Sequence, residues 1–293
     1  MSEETWTIGR LLTWTSEYLA SHGSDSPRLD AEVLLAHVRG CERIDLYTAF
    51  EELADESVKS AFRAMVKRRA EGTPVAYLVG QREFFSLPFR VTPDVLIPRP
   101  ETEFVVLAML DWAEKFSDTP SLRIADIGTG SGVLAVCAAH QLQHATVLAI
   151  DQSPSALAIA QENATTLGVA ERICFLESDL FAQLESDRQF EIIVSNPPYI
   201  KTSEADALPR DVREHEPVAA LFSGETGTEI IERLIHEAES RLMPGGGLIC
   251  EISPQLKPRI EQVFADKPAW RNLRFRKDLA GLDRAFEVER ADG

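Results

Sequence analysis

A series of short apolar runs, each followed by a stretch with helical spacing, constrains this chain more than any other feature. The runs are Leu122–Ile127, Ala145–Ile150, Ile173–Leu176, Ile192–Ser195 and Gly247–Ile252. Each has strand length, and near-continuous apolarity means that both faces of the strand must be covered. Strands that alternate with helices are joined by crossovers, so neighbours run parallel. The pattern predicts a doubly wound α/β fold. Two more alternating pieces between Leu273 and Val288, joined by Asp278-Leu279-Ala280-Gly281-Leu282-Asp283-Arg284, predict a closing antiparallel hairpin and hence a mostly parallel sheet of seven strands.

Upstream the texture differs. From Trp6 to about Val79 apolar residues recur at helical spacing: Ile8, Leu11, Leu12 and Leu19, then Ala31, Leu34, Leu35 and Val38, then Val58, Phe62, Met65 and Val66. Pro27 and Gly72-Thr73-Pro74 punctuate the run, and Arg28–Val38 reads as a helix opened just after a proline. Residues 1–80 are therefore expected to form a small helical bundle that serves packing and protein binding rather than chemistry, because no convergent set of polar groups occurs there. Residues 83–97 alternate aromatic and polar positions about Ser86-Leu87-Pro88, as a short hairpin does. Residues 81–98 are expected to link the bundle to a catalytic domain over residues 99–293. That domain opens with Pro98-Arg99-Pro100-Glu101-Thr102-Glu103 and a helix through Val105, Val106, Met109 and Trp112, its acids placed where the helix dipole favours them.

Charge narrows the partners. With 47 acidic against 30 basic residues the formal net charge is −17, a field that repels phosphate backbones. Direct nucleic-acid binding is not expected, and Lys67-Arg68-Arg69 reads as a basic helix end. Cys41, Cys137, Cys174 and Cys250 are scattered without metal-ligand spacing and read as reduced core residues. The histidines form no metal spacing either, so no metal is expected. The acidic start Met1-Ser2-Glu3-Glu4 and the lack of a membrane-length apolar stretch predict a cytoplasmic protein with no membrane contact. A monomer is the default expectation.

Arg123-Ile124-Ala125-Asp126-Ile127-Gly128-Thr129-Gly130-Ser131-Gly132 joins the first of these strands to a helix. Alternate glycines let the backbone approach a ligand and adopt torsions that a Cβ resists, so Gly128, Thr129, Gly130, Ser131 and Gly132 are candidates for cradling a nucleotide-like cofactor. A dinucleotide loop places its third glycine where this chain has Val133, which argues against a pyrophosphate. Asp151 closes the next strand and suits the ribose hydroxyls; its alternative role, capping the following helix, is one that Ser153 fills better. After the third strand, Asp179 is placed to meet an adenine amine and Leu180 or Phe181 an adenine face.

Ile193-Val194-Ser195-Asn196-Pro197-Pro198-Tyr199 ends the fourth strand, at the carboxyl edge where open α/β sheets bind ligands. Two prolines there remove backbone donors and stiffen the chain. The Asn196 side-chain carbonyl and the Pro197 main-chain carbonyl can accept the two hydrogens of a planar NH2 group, and Tyr199 offers a ring to stack on it. Such a corner suits methyl transfer to an amide or exocyclic nitrogen, whose delocalised electron pair needs positioning more than a strong base. A strand-terminating turn capped by Asn accounts for Asn-Pro alone, but not for its company with the glycine loop and Asp151.

In this order the motifs resemble the class I methyltransferases that modify amide or exocyclic nitrogens. Over nearly the whole chain they resemble the release factor glutamine methyltransferase family, HemK/PrmC. The resemblance is carried by Gly72-Thr73-Pro74-Val75-Ala76-Tyr77, Leu96-Ile97-Pro98-Arg99-Pro100-Glu101-Thr102-Glu103, the glycine loop, Asn196-Pro197-Pro198-Tyr199, Asp211-Val212-Arg213-Glu214-His215-Glu216-Pro217 and the Asp278–Arg284 segment. It implies S-adenosylmethionine as cofactor, released as S-adenosylhomocysteine, and methylation of N5 of the glutamine in the Gly-Gly-Gln motif of peptide chain release factors. It also implies cofactor contacts at Gly128 to Gly132, Asp151, Asp179, Leu180 and Asn196, and acceptor contacts at Asn196, Pro197, Pro198 and Tyr199.

Arg99 and Glu101 line the acceptor cleft in one reading and begin a helix in the other. His215, between Glu214 and Glu216, reads as loop-ordering rather than as a general base. The chain departs from the family pattern at Ser253, where a glycine is common, and at Leu180, where an aromatic residue is common. Other readings stay open: a nucleic-acid amino methyltransferase acting on adenine N6 or guanine N2, a ribosomal-protein glutamine methyltransferase, and a cofactor-binding protein without catalysis.

Overall fold

The computed structural model describes residues 5–292, which form two compact units. Met1-Ser2-Glu3-Glu4, the acidic start, lies outside the described residues. The first unit runs to Gln81 and includes Pro209–His215; the second holds Arg82–Leu208 and the chain from Glu216 onward.

The first unit contains α1 (Ile8–Ser21), α2 (Pro27–Arg39), the short α3 (Asp45–Thr48), α4 (Glu56–Ala70) and α5 (Val75–Val79). Local chemistry sets the ends: the Thr7 hydroxyl accepts the Arg10 amide at the start of α1, while α2 opens on Pro27 and stops at Gly40, whose φ of 63° is left-handed. Ile8, Leu12, Leu19, Leu34, Leu35 and Leu46 are fully buried between these helices. Glu32 is buried too, and its charge is met by Arg28, Arg43 and the Tyr47 hydroxyl at 2.7, 2.8 and 2.5 Å. At the basic end of α4, Arg69 is bound to Asp30 at 2.7 Å and reaches Asp211 at 3.6 Å, which ties Pro209–His215 to the bundle.

A two-stranded hairpin follows, β1 (Gln81–Phe84) and β2 (Leu87–Arg90), which falls in the second unit from Arg82 onward. Its turn falls at Phe85 and Ser86, one residue earlier than the aromatic alternation indicates, and both are left-handed, with φ of 49° and 60°. Neither is a glycine. The Phe85 amide donates to Glu103 Oε1 at 3.1 Å, so a carboxylate at the start of the next helix holds this turn in place.

Then follow α6 (Glu103–Ala113), β3 (Leu122–Ile127), α7 (Val133–Gln141), β4 (Ala145–Asp151), α8 (Pro154–Thr166), β5 (Ile173–Glu177) and β6 (Phe190–Ser195). After α9 (Arg210–His215) of the first unit come α10 (Glu229–Arg241), β7 (Leu242–Glu251), α11 (Lys257–Ala265), β8 (Trp270–Lys277) and β9 (Asp283–Arg290). The seven-stranded sheet has the order β5-β4-β3-β6-β7-β9-β8, parallel from β5 to β7 and antiparallel at β9 and β8. The chain winds outward from β3 through β4 and β5, then restarts at β6 on the other side of β3, so the carboxyl ends of β3 and β6 flank the switch point where such sheets bind ligands.

Period-two alternation divides each strand between two cores. Leu122, Ile124, Val147, Ala149, Ile192, Val194 and Ile249 join α6, α7 and α8 on one face. Ala125, Ile127, Leu148, Ile150, Ile193, Leu248 and Cys250 join α10 and α11 on the other. The cysteine expectation needs correction: Cys137 and Cys250 are buried, but Cys41 is half-buried and Cys174 is exposed. Cys174 lies on β5, an edge strand, so one face of its apolar run is left partly uncovered. Among the described residues no helix is long and apolar enough to cross a membrane, and no group of His, Cys, Asp and Glu could hold a metal ion.

Candidate active site

The glycine loop leaves β3 through three left-handed residues, Gly128, Gly130 and Gly132, with φ of 71°, 55° and 84°. At Gly132 a Cβ would also stand 3.0 Å from the Ala160 Cβ on α8, so both torsion and packing require glycine. Buried polar groups fix the rest. The Gly128 and Thr129 amides donate to the Ile150 carbonyl at 2.8 and 2.9 Å. Asp126 Oδ2 accepts the Thr129 hydroxyl at 2.6 Å and the Ala135 amide at 3.0 Å. Asn163, inside α8, donates to the Ser131 carbonyl at 2.8 Å and to the Arg90 carbonyl at 3.0 Å, and accepts the Arg90 amide at 2.7 Å.

Asp151 does more than close its strand. Its Oδ2 accepts the Gly130 amide at 2.9 Å and its Oδ1 the Ser153 amide at 2.9 Å, so it braces the glycine loop from the neighbouring strand. Ser153 caps α8, as its hydroxyl accepts the Ala156 amide. Burial raises the Asp151 carboxyl above its ordinary range, and backbone N–H groups of Gly130, Ser153 and Gln152 offset part of that shift.

Asp126 is more deeply buried, and desolvation pushes its carboxyl up to about 7 against the lowering pull of Thr129 and Ala135. Its Oδ1 has no hydrogen-bond partner among the described residues, although Asp126 lines the cavity. Asp179 Oδ2 accepts Arg233 at 2.9 Å, and Leu180 beside it is held at φ 47°, a torsion that costs a leucine about 1–2 kcal/mol.

Gly128 to Ser131, Asp151, Asp179, Leu180, Asn196, Pro197 and Pro198 line one cavity of about 370 Å³. Gly132 is not among its lining residues. The expected cofactor half and acceptor half therefore meet at the carboxyl ends of β3 and β6, which the Ser195 hydroxyl joins by donating to the Ile127 carbonyl at 2.7 Å. Tyr199, Arg99 and Glu101 are not among the cavity's lining residues. Arg99 is bound by the buried Glu216, which also accepts the Ile97 amide at 3.3 Å. Glu101 faces Arg284 at 3.6 Å. His215 belongs to the first unit and does not line the cavity.

Behind the acceptor corner lies a relay that sequence reasoning missed. Asn196 Nδ2 donates to the Thr102 hydroxyl at 3.0 Å, Thr102 donates to Glu251 Oε2 at 2.5 Å, and the Tyr199 hydroxyl donates to Glu251 Oε1 at 3.1 Å. Glu251 is 1% exposed, and desolvation pushes its carboxyl up to about 7. Burial raises the Tyr199 hydroxyl further from ionisation, and the adjacent Glu251 charge adds to this, so Tyr199 acts as a donor. A single acid closing the apolar run Gly247–Ile252 was the available signal for Glu251, and Asp126, at the end of β3, carried a similar one.

The arrangement matches known proteins closely. Residues 10–80 fit a family described as the PrmC N-terminal domain, and residues 110–211 a family described as the methyltransferase small domain. The release factor glutamine methyltransferase of Rhodopirellula baltica is 48% identical over 291 residues, covering 99% of this chain and 98% of that protein. That of Moorella thermoacetica is 42% identical over 286 residues, covering 98% and 99%. Among solved structures, the hMettl16 catalytic domain in complex with the MAT2A 3'UTR hairpin 6 superposes with a TM-score of 0.55 at 17% identity, covering 78% of this chain and 81% of that one, a likeness of fold alone.

Proposed function

We propose, since this chain belongs to the family of release factor glutamine methyltransferases, that it transfers a methyl group from S-adenosylmethionine to N5 of the glutamine in the Gly-Gly-Gln motif of peptide chain release factors. The observation that carries the reading is the single cavity shared by Gly128, Asp151 and Asn196. The residues present suit the cofactor. Asp151 offers carboxylate oxygens to the ribose hydroxyls, Asp179 and Leu180 an edge and a face to adenine, and the free, buried Asp126 Oδ1 an acceptor for the amino end of the methionine portion. Gly128, Thr129, Gly130, Ser131 and Gly132 let backbone pass close to it.

When bound, the cofactor supplies a methyl carbon whose bond to sulfur breaks with the electron pair left on sulfur. The chain's own contribution is positioning. Asn196 Oδ1 and the Pro197 carbonyl accept the two hydrogens of the glutamine NH2, drawing electron density onto nitrogen as its pair forms the new C–N bond. One amide proton then passes to water. Pro198 and Tyr199 stiffen and flank the corner, while Arg99 and Glu101, ordered by Glu216 and Arg284, serve the substrate side.

The first unit, with exposed Ile44, Tyr47 and Leu53, supplies a protein-binding surface for the release factor. We place the enzyme in the cytoplasm as a monomer. The test is mass spectrometry of intact release factor, and in parallel of rRNA and DNA, after incubation with enzyme and cofactor. One added methyl on the Gly-Gly-Gln glutamine is expected; methyl groups entering only nucleic acid would overturn the reading.

A further inference from the structure

An asparagine at the acceptor corner does not by itself specify chemistry. Its side-chain amide presents an oxygen or an NH2 of nearly the same shape, and a half-turn exchanges them. Only the oxygen can accept a hydrogen from the glutamine NH2; the inverted amide would set donor against donor.

The fold resolves this ambiguity at a distance from the reacting atoms. Glu251, when ionised, is acceptor-only, so the single proton of the Thr102 hydroxyl is committed to Oε2 at 2.5 Å. Toward Asn196 that hydroxyl can only accept, and what it accepts is Nδ2 at 3.0 Å. The carbonyl oxygen of Asn196 is thereby the end left for a ligand. Tyr199 occupies the other carboxylate oxygen at 3.1 Å and keeps the carboxylate from turning.

We infer that Thr102 and Glu251 are positioning residues for this reaction: through the Thr102 hydroxyl, the Glu251 carboxylate fixes which end of the Asn196 amide faces the acceptor. The inference rests on the function proposed above, since it gives that orientation its purpose. Neutralising Glu251 would undo the relay, because a carboxylic acid donating to Thr102 frees the hydroxyl proton to meet Asn196 Oδ1. The groups that act on Glu251 are the hydroxyls of Thr102 and Tyr199, the charge of Glu101 beside Thr102, and Arg284 on β9.

Three variants and two readouts test this. Thr102→Val removes the hydroxyl at constant shape, Thr102→Ser restores it, and Glu251→Gln substitutes a group that can donate toward Thr102. Thr102→Val and Glu251→Gln are expected to lower kcat roughly tenfold to a hundredfold, while KM for release factor and the cofactor Kd stay within about twofold, with Thr102→Ser regaining most of the loss. The side-chain amide resonance of Asn196, identified by its loss in Asn196→Ala, is expected to shift as pH falls through about 7, and to stop doing so in Glu251→Gln. Undiminished kcat in Thr102→Val, loss confined to KM or cofactor Kd, or an Asn196 resonance indifferent to both residues would overturn the inference. Wild-type enzyme that leaves the release factor unmodified would instead defeat the proposed function, and the resonance would still decide the orientation.

Discussion

The two halves of the cavity are ordered by opposite means. On the cofactor side the carboxylate ties that hold the glycine loop are short in sequence: Asp126 binds residues 3 and 9 positions on, Asp151 binds one 2 positions on, and the longest of these, Asp151 to Gly130, spans 21. On the acceptor side the polar ties are long, spanning 94 positions from Thr102 to Asn196 and 149 from Thr102 to Glu251. Backbone held by nearby carboxylates makes a cradle that a local motif can encode. An oriented side-chain amide needs partners from separate elements, so it exists only once the sheet has closed.

Perturbing each half should therefore damage a different quantity. The largest effect is expected from Asn196→Ala, which should lower turnover by about two to three orders of magnitude while leaving cofactor affinity nearly unchanged, as removal of one positioned polar contact does. Single-turnover methyl transfer beside equilibrium cofactor titration checks it, and wild-type turnover would break the contrast.

Next comes a pH effect from the acceptor side, which adds to that of the buried Asp126 on the cofactor side. The Glu251 carboxyl is raised in the folded state to about 7 from an ordinary 4.5, so the folded protein holds that proton more tightly than the unfolded chain. Its contribution to stability is complete below about pH 4.5 and is lost as pH rises through about 7, up to about 3 kcal/mol in all. Activity moves the other way, since the relay needs the carboxylate. Denaturant unfolding of wild type and Glu251→Gln between these pH values should show a shallower decline in the variant, the remainder belonging to Asp126; parallel curves would contradict the assignment.

A smaller effect is expected from Asp151→Asn on the cofactor side. The amide still accepts one backbone N–H but loses charge-assisted bonding to the ribose, so cofactor Kd should rise about tenfold with kcat at saturation little changed. A fall in kcat at unchanged Kd would show that the halves are not separable in this way.

Legibility followed the same division. The strand runs, the glycine loop and Asp151 could be read because period, torsion and spacing are local properties of the chain. Thr102 and Glu251 lay within segments whose character was plain, yet nothing in either segment indicates the other. The Phe85-Ser86 turn was misplaced by one residue because it carries neither glycine nor asparagine, and the carboxylate that holds it, Glu103, was read only as a helix start. Cys174 was assigned to the core from an apolar run, but edge position, which decides its exposure, is a property of strand order.

Asn163 joins parts of the chain that differ in kind. By bonding the backbone of Arg90 in β2 and the carbonyl of Ser131 in the glycine loop, it ties the hairpin directly to the cofactor cradle. Any tug on β2 must either reach Ser131 or rupture a buried amide contact, which gives the hairpin mechanical leverage over the site although its side chains never enter the reaction.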